Sequence, residues 1–169
     1  MATTGLHKYS VQEKLNKMDV DVITKTVVST TNACSDAEVI FQGDEIENAV
    51  AVNGGTCILQ SVGLLDDDDN GGTIDLVFFD SNVELDDSDD GTVIDAADGS
   101  IPDSILGVVT ISTYFDGVAW KYGHKENIGL VLKAAAGSKS IYVAGVNRSG
   151  GDLTWTASGI RLKLGIVKD

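Results

Sequence analysis

Proline occurs once, cysteine twice and histidine twice in the 169 residues, and 12 lysines and arginines stand against 26 aspartates and glutamates. Each shortage excludes something. Two cysteines cannot build a disulfide framework. The first eight residues, Met1 to Lys8, hold no apolar stretch of the signal-peptide kind, so no secretory leader is expected and Cys34 and Cys57 are expected to be unbridged thiols that pair only if the fold brings them close. The same absence makes the sequon Asn147-Arg148-Ser149 a chance pattern. No apolar run approaches the ~18 residues of a membrane span, so no membrane partner is expected. A formal net charge of −14 argues against nucleic acid, because phosphate contacts need clustered lysine and arginine.

The two histidines leave little room for catalysis. His7 lies near the N-terminus and His124 in the hairpin-like stretch Tyr122-Gly123-His124-Lys125, with Glu126 as its nearest acidic neighbour. A general base needs both a reacting partner and an orienting group. No Gly-x-Ser-x-Gly elbow, phosphate-cradling loop or His-Glu-x-x-His pattern accompanies them. The expectation is a protein that is not an enzyme.

What the sequence does have is length enough for one domain, an apolar fraction of 43% and 19 glycines. A chain of this size buries roughly 70% of the surface that its unfolded form exposes, so its core needs no covalent staple. From residue 21 onward the apolar pattern repeats every second residue. Ile160, Leu162, Leu164 and Ile166 alternate with Arg161, Lys163, Gly165 and Val167, and Ile74, Leu76 and Phe78 with Asp75, Val77 and Phe79. Ile128, Leu130 and Leu132 do the same, and further strands are expected at 22–30, 38–41, 46–52, 56–65, 107–114, 117–122, 140–146 and 152–157. Turn signals separate them at Asn53-Gly54-Gly55, Asn70-Gly71-Gly72, Asp90-Gly91, Ala136-Gly137-Ser138 and Ser149-Gly150-Gly151. Short strands between glycine-rich turns predict an all-β protein, an antiparallel β-sandwich arranged as a jelly roll, with one helical turn near Pro102 to Leu106. This domain is assigned to residues 21–169.

Residues 1–20 read differently. Ser10 and Glu13 make a capping box, and Val11, Leu15 and Met18 follow at helical spacing. A helix this short is unstable alone. The segment reads either as an arm that orders against a partner, with Ser10, Val11, Leu15 and Met18 as docking residues, or as a frayed terminus.

Charge is concentrated in one stretch. Residues 65–103 hold 14 acidic and no basic side chains, whereas residues 104–169 hold 4 acidic and 8 basic ones. Asp66, Asp68, Asn70 and Gly71 match the opening of a calcium loop, in which oxygens at alternate positions face one ion and the glycine allows the sharp turn. The closing position, where a bidentate glutamate belongs, is Val77. A second run, Asp86 to Gly91, opens similarly. Both runs read either as solvated acidic loops or as sites for Ca2+ or another hard divalent cation. The aromatics Tyr114, Trp120, Tyr122, Tyr142 and Trp155 read either as a sugar-stacking platform or as core and interface packing.

Several stretches carry a resemblance. Asn48-Ala49-Val50-Ala51-Val52-Asn53-Gly54-Gly55, Ile58 to Val62 and Leu76 to Asp80, and then Asn127 to Leu132, Ser140 to Val146 and Thr154 to Ile160, resemble small virion proteins of tailed bacteriophages in their strand-and-turn phrasing. The resemblance implies a structural protein of the particle, an auxiliary capsid protein of the cement or decoration kind. It further implies the major capsid protein as partner, a homotrimer, and a place on the capsid surface. The alternatives are a head or tail fibre or tail-tip component, and a calcium- or carbohydrate-binding β-sandwich module. The acidic inserts and the arm have no counterpart in that phrasing.

Overall fold

The computed structural model describes residues 19–86, Ile94 and 101–168. The expected arm residues Ser10, Val11, Leu15 and Met18 and residues 87–91 of the second acidic run lie outside them. Among the described residues the chain forms β1 (Asp19–Thr26), β2 (Val39–Ile46), β3 (Thr56–Asp66), β4 (Ile74–Phe79), the single turn of helix α1 (Ile101–Ser104), β5 (Ile105–Ile111), β6 (Tyr114–Asp116), β7 (Lys121–Lys133), β8 (Ile141–Asn147) and β9 (Ile160–Lys168). One sheet has the order β1-β9-β3-β7-β6 and the other β2-β8-β4-β5. All pairings are antiparallel, and they nest: β1 with β9, β2 with β8, β3 with β7, β4 with β5. That concentric pairing across two packed sheets is a jelly roll, with β6 added as a short hairpin beside β7.

The alternating residues meet between the sheets. Leu59, Val62, Leu64, Leu132, Ile160, Leu162, Leu164 and Ile166 from the five-stranded sheet face Phe41, Ile46, Ile74, Leu76, Phe78, Ile141 and Val143 from the other, all buried. Gly145 on β8 leaves room for the Phe41 ring, since a methyl group there would collide with it. The four-stranded sheet is apolar on its other face as well. Val39, Val77, Phe79, Ala144 and Val146 pack there with Leu85 and Ile101 in a second, smaller cluster. β4 is therefore buried on both faces at Val77 and Phe79, where alternation alone predicts one. Gln42 fastens the connection that covers this face: its side-chain oxygen accepts the amides of Leu85 and Asp86, and its amide group donates to the Asp86 carbonyl.

Four local expectations are corrected. β1 begins at Asp19, inside the segment assigned to the arm, because its pairing with β9 runs to Lys168 and the Lys168 ammonium reaches Asp21 at 2.9 Å. That ammonium holds the Asp21 carboxyl below its ordinary range. Residues 46–52 are mostly turn after Ile46, with Asn48 at φ 55° and Ala49 and Val50 closing one end of the core. Tyr122 to Lys125 is strand, paired with Val62 to Leu65; the hairpin lies at 117–120, within the expected strand 117–122, where the Gly117 amide donates to the Trp120 carbonyl at 2.9 Å. Residues 152–157 touch strand structure only at the Cys34–Leu153 bridge.

Asn147 stitches this irregular segment down. Fully buried, it donates to the carbonyls of Cys34 and Gly151 and accepts the Ser149 amide and hydroxyl. Its side-chain nitrogen is thus consumed inside the fold. Cys34 and Cys57 are both buried thiols, and burial pushes the Cys57 thiol up to about 11, which leaves little reactive thiolate at neutral pH.

Candidate functional site

The acidic turn between β3 and β4 came first among the sequence candidates, and its side chains are turned to the protein itself. Asp66, 1% exposed, accepts the amides of Asp68 at 3.1 Å and Gly71 at 2.7 Å, closing the turn. Asp68 accepts the Thr156 amide and hydroxyl at 2.8 and 3.0 Å, and Asn70 donates to the Thr154 carbonyl at 2.9 Å. Two of the three expected ligands therefore clamp the chain on either side of Trp155. Asp67 takes Arg161 at 2.7 Å and Asp69 takes Lys121 at 3.3 Å. Among the described residues no group of three or more His, Cys, Asp or Glu side chains is arranged to hold a metal ion. The basic residues of the last third, with Arg148 on Asp75 as a further case, are thus partly neutralised within the chain.

Burial raises the Asp66 carboxyl above its ordinary value, against the lowering effect of the Gly71 and Asp68 amides. A carboxyl raised in this way contributes stability that is present below its unfolded-state value and lost as pH rises through the folded-state one. The stability of the protein relative to Asp66→Asn, which cannot ionise, is accordingly expected to improve on acidification through that window. Urea titrations of both proteins at neutral and acid pH measure it; a difference that does not change with pH would place the carboxyl at its ordinary value.

The five expected platform aromatics do not share a surface. Trp155 is in the core, 1% exposed. Tyr114 is half-buried, its hydroxyl donating to the Gly72 carbonyl at 2.6 Å, and Tyr142 packs on the second cluster. Trp120 and Tyr122 alone reach one surface, the outer face of the five-stranded sheet.

That face is ordered in rows by the strand register. At one end Val20, Val167, Ile58 and Val131 stand side by side across β1, β9, β3 and β7. Val20 is 72% and Val131 59% exposed, and Val22, at 64%, continues the patch along β1. Val20, Val22 and Val131 thus stand exposed on β1 and β7, with Val167 and Ile58 partly buried between them. In the middle, Lys163, Gly63 and His124 form a row, and beyond it Arg161, Leu65, Tyr122 and Phe115. Here Leu65, Phe115, Trp120, Tyr122 and Lys163 line an open groove of about 410 Å³. The rings of Phe115 and Trp120 lie 5.8 Å apart at 31°, and Tyr122 stacks on His124 at 5.9 Å. Gly63 is required beneath: a methyl group on it would collide with the Tyr122 hydroxyl. His124 meets Glu126 at 3.4 Å on the same open face.

No family model matches the chain, and no curated protein matches it. Two solved structures are similar in outline. Murine APRIL at pH 8.0 is 17% identical over 89% of this chain and 100% of that one, with a TM-score of 0.33. A chain of Desmodium yellow mottle tymovirus is 11% identical over 90% of this chain and 87% of that one, with a TM-score of 0.31. At such scores the jelly-roll assignment rests on strand order and register within this chain.

The valine row and the residues Leu65, Phe115 and Lys163 of the groove were not singled out by sequence reasoning. Alternation marks Lys163 and Val167 as outward-facing on β9, but which outward residues become neighbours depends on pairings between strands as far apart as β1 and β9.

Proposed function

We propose that this chain is a structural, non-catalytic subunit of a bacteriophage particle, an auxiliary capsid protein of the cement or decoration kind that binds and stabilises the major capsid shell as a homotrimer. The observation that carries the reading is the apolar row Val20, Val167, Ile58 and Val131 on the outer face of the five-stranded sheet. The row begins at Val20, the second of the described residues. The strand-and-turn resemblance of residues 48–80 and 105–166 to tailed-phage virion proteins supports the same reading. A jelly roll by itself hosts many roles, so the site and the resemblance carry the weight.

Quantitative mass spectrometry of purified particles from the source tests it. Copy numbers comparable to those of the major capsid protein are expected. A handful of copies per particle would assign the chain to a fibre or tail tip, and absence from particles would overturn the structural role.

A further inference from the structure

The groove at the far end of the same sheet has a chemistry that shell attachment does not use. It is lined by the aromatic rings of Phe115, Trp120 and Tyr122 together with Leu65 and Lys163. The Tyr122 hydroxyl, the Trp120 indole N–H and the Lys163 ammonium make no hydrogen bond or ion pair among the described residues. The neighbouring cations differ in this respect, since Arg161 is held by Asp67 and Lys121 by Asp69 and Asp116. Among the described residues the groove therefore presents one positive charge without an acidic partner beside aromatic rings, in a protein whose net charge is −14.

We propose that this groove is a binding site for an acidic saccharide, a pyranose bearing a carboxylate. The C–H face of a pyranose ring stacks on indole and phenol rings. Its carboxylate meets Lys163, and its ring and hydroxyl oxygens accept from Tyr122 and Trp120. The volume of about 410 Å³ lies within the ~300–1,000 Å³ range of small-molecule sites. A phosphate alone would leave the rings unused, and a neutral sugar would leave the ammonium unused. Leu65 lies seven positions along β3 from Ile58, roughly 20 Å at the rise of an extended strand, so the groove stays open when the valine end is covered. A particle decorated with such a subunit would present many weak sites for an acidic polysaccharide, which act together through multivalency.

Isothermal titration calorimetry of the full chain tests this, with an oligogalacturonate and a sialyl oligosaccharide as acidic probes and a neutral oligosaccharide of equal length as control. Saturable binding of at least one acidic probe is expected, weakened about tenfold in Lys163→Gln, the scale of one charged contact. Binding is expected to be lost in Trp120→Ala, which alters an exposed hairpin residue and leaves the core intact. Absence of saturable binding by both acidic probes would overturn the proposal, as would equal affinity for the neutral one or an unchanged affinity in Lys163→Gln. None of these outcomes depends on capsid attachment.

Discussion

Replacing Trp155 by alanine is expected to lower the stability of the folded chain by roughly 3–5 kcal/mol, a large share of the ~5–15 kcal/mol that holds a domain of this kind together. Trp155 is the largest fully buried side chain, and it comes from a segment with no regular structure. What holds it in place is the acidic turn: Asp68 binds Thr156 and Asn70 binds Thr154, one residue to either side. Its indole N–H is buried without a hydrogen-bond partner among the described residues. Trp155→Phe therefore removes volume but no hydrogen bond, and is expected to cost less than half as much as Trp155→Ala. Guanidinium titrations of the two variants measure both values. Equal losses would mean that the cost is not set by the buried volume removed, since phenylalanine restores most of it and alanine none.

The second large effect tests the proposed attachment to a capsid shell. Introducing Val20→Asp together with Val131→Asp places a charge at each end of the apolar row while altering no buried residue. Folding stability is expected to change by about 2 kcal/mol or less, since both positions are exposed and strand propensity spans only about 1 kcal/mol per residue. Binding to particles stripped of this protein is expected to fall to background, because burying an unpaired carboxylate in an apolar interface costs several kcal/mol. Deletion of residues 1–18 is expected to reduce attachment too, while leaving β1 and the sandwich in place. Co-sedimentation with stripped particles, alongside thermal unfolding of the free variants, separates loss of docking from loss of fold. Full attachment of the doubly substituted protein would remove the valine row from the docking surface.

The fold was legible where one side of a strand faces the core and the other faces water. β9 shows this best, since Ile160 to Ile166 alternate without a break and the strand forms where the alternation begins and ends. Legibility failed where burial did not follow the period of two. Ala49 and Val50 look like strand residues but close the end of the sandwich from a turn. Val77 and Phe79 sit on the nominal outer face of β4 and are buried by a connection that covers the second sheet. The spacing of Asp66, Asp68 and Asn70 was visible, yet the same spacing of short oxygen-bearing side chains that can encircle an ion also serves to close a turn and clamp a neighbouring segment. Nothing in local sequence distinguishes the two, because the partners Thr154 and Thr156 are more than 80 residues away.

The sequence by itself determined the all-β class, the sandwich, the short helical turn before β5 and the concentration of charge in the middle of the chain. Each of these follows from alternation, turn residues and composition, which are properties of neighbouring residues. Tertiary structure alone decided that the acidic turn binds its own chain, that Trp155 fills the core while Trp120 and Tyr122 stay on the surface, and that Val20, Val167, Ile58 and Val131 form one row. The reason is register. Antiparallel pairing of strands far apart in sequence sets which outward side chains become neighbours, and a slip of one residue would turn every one of them to the other face.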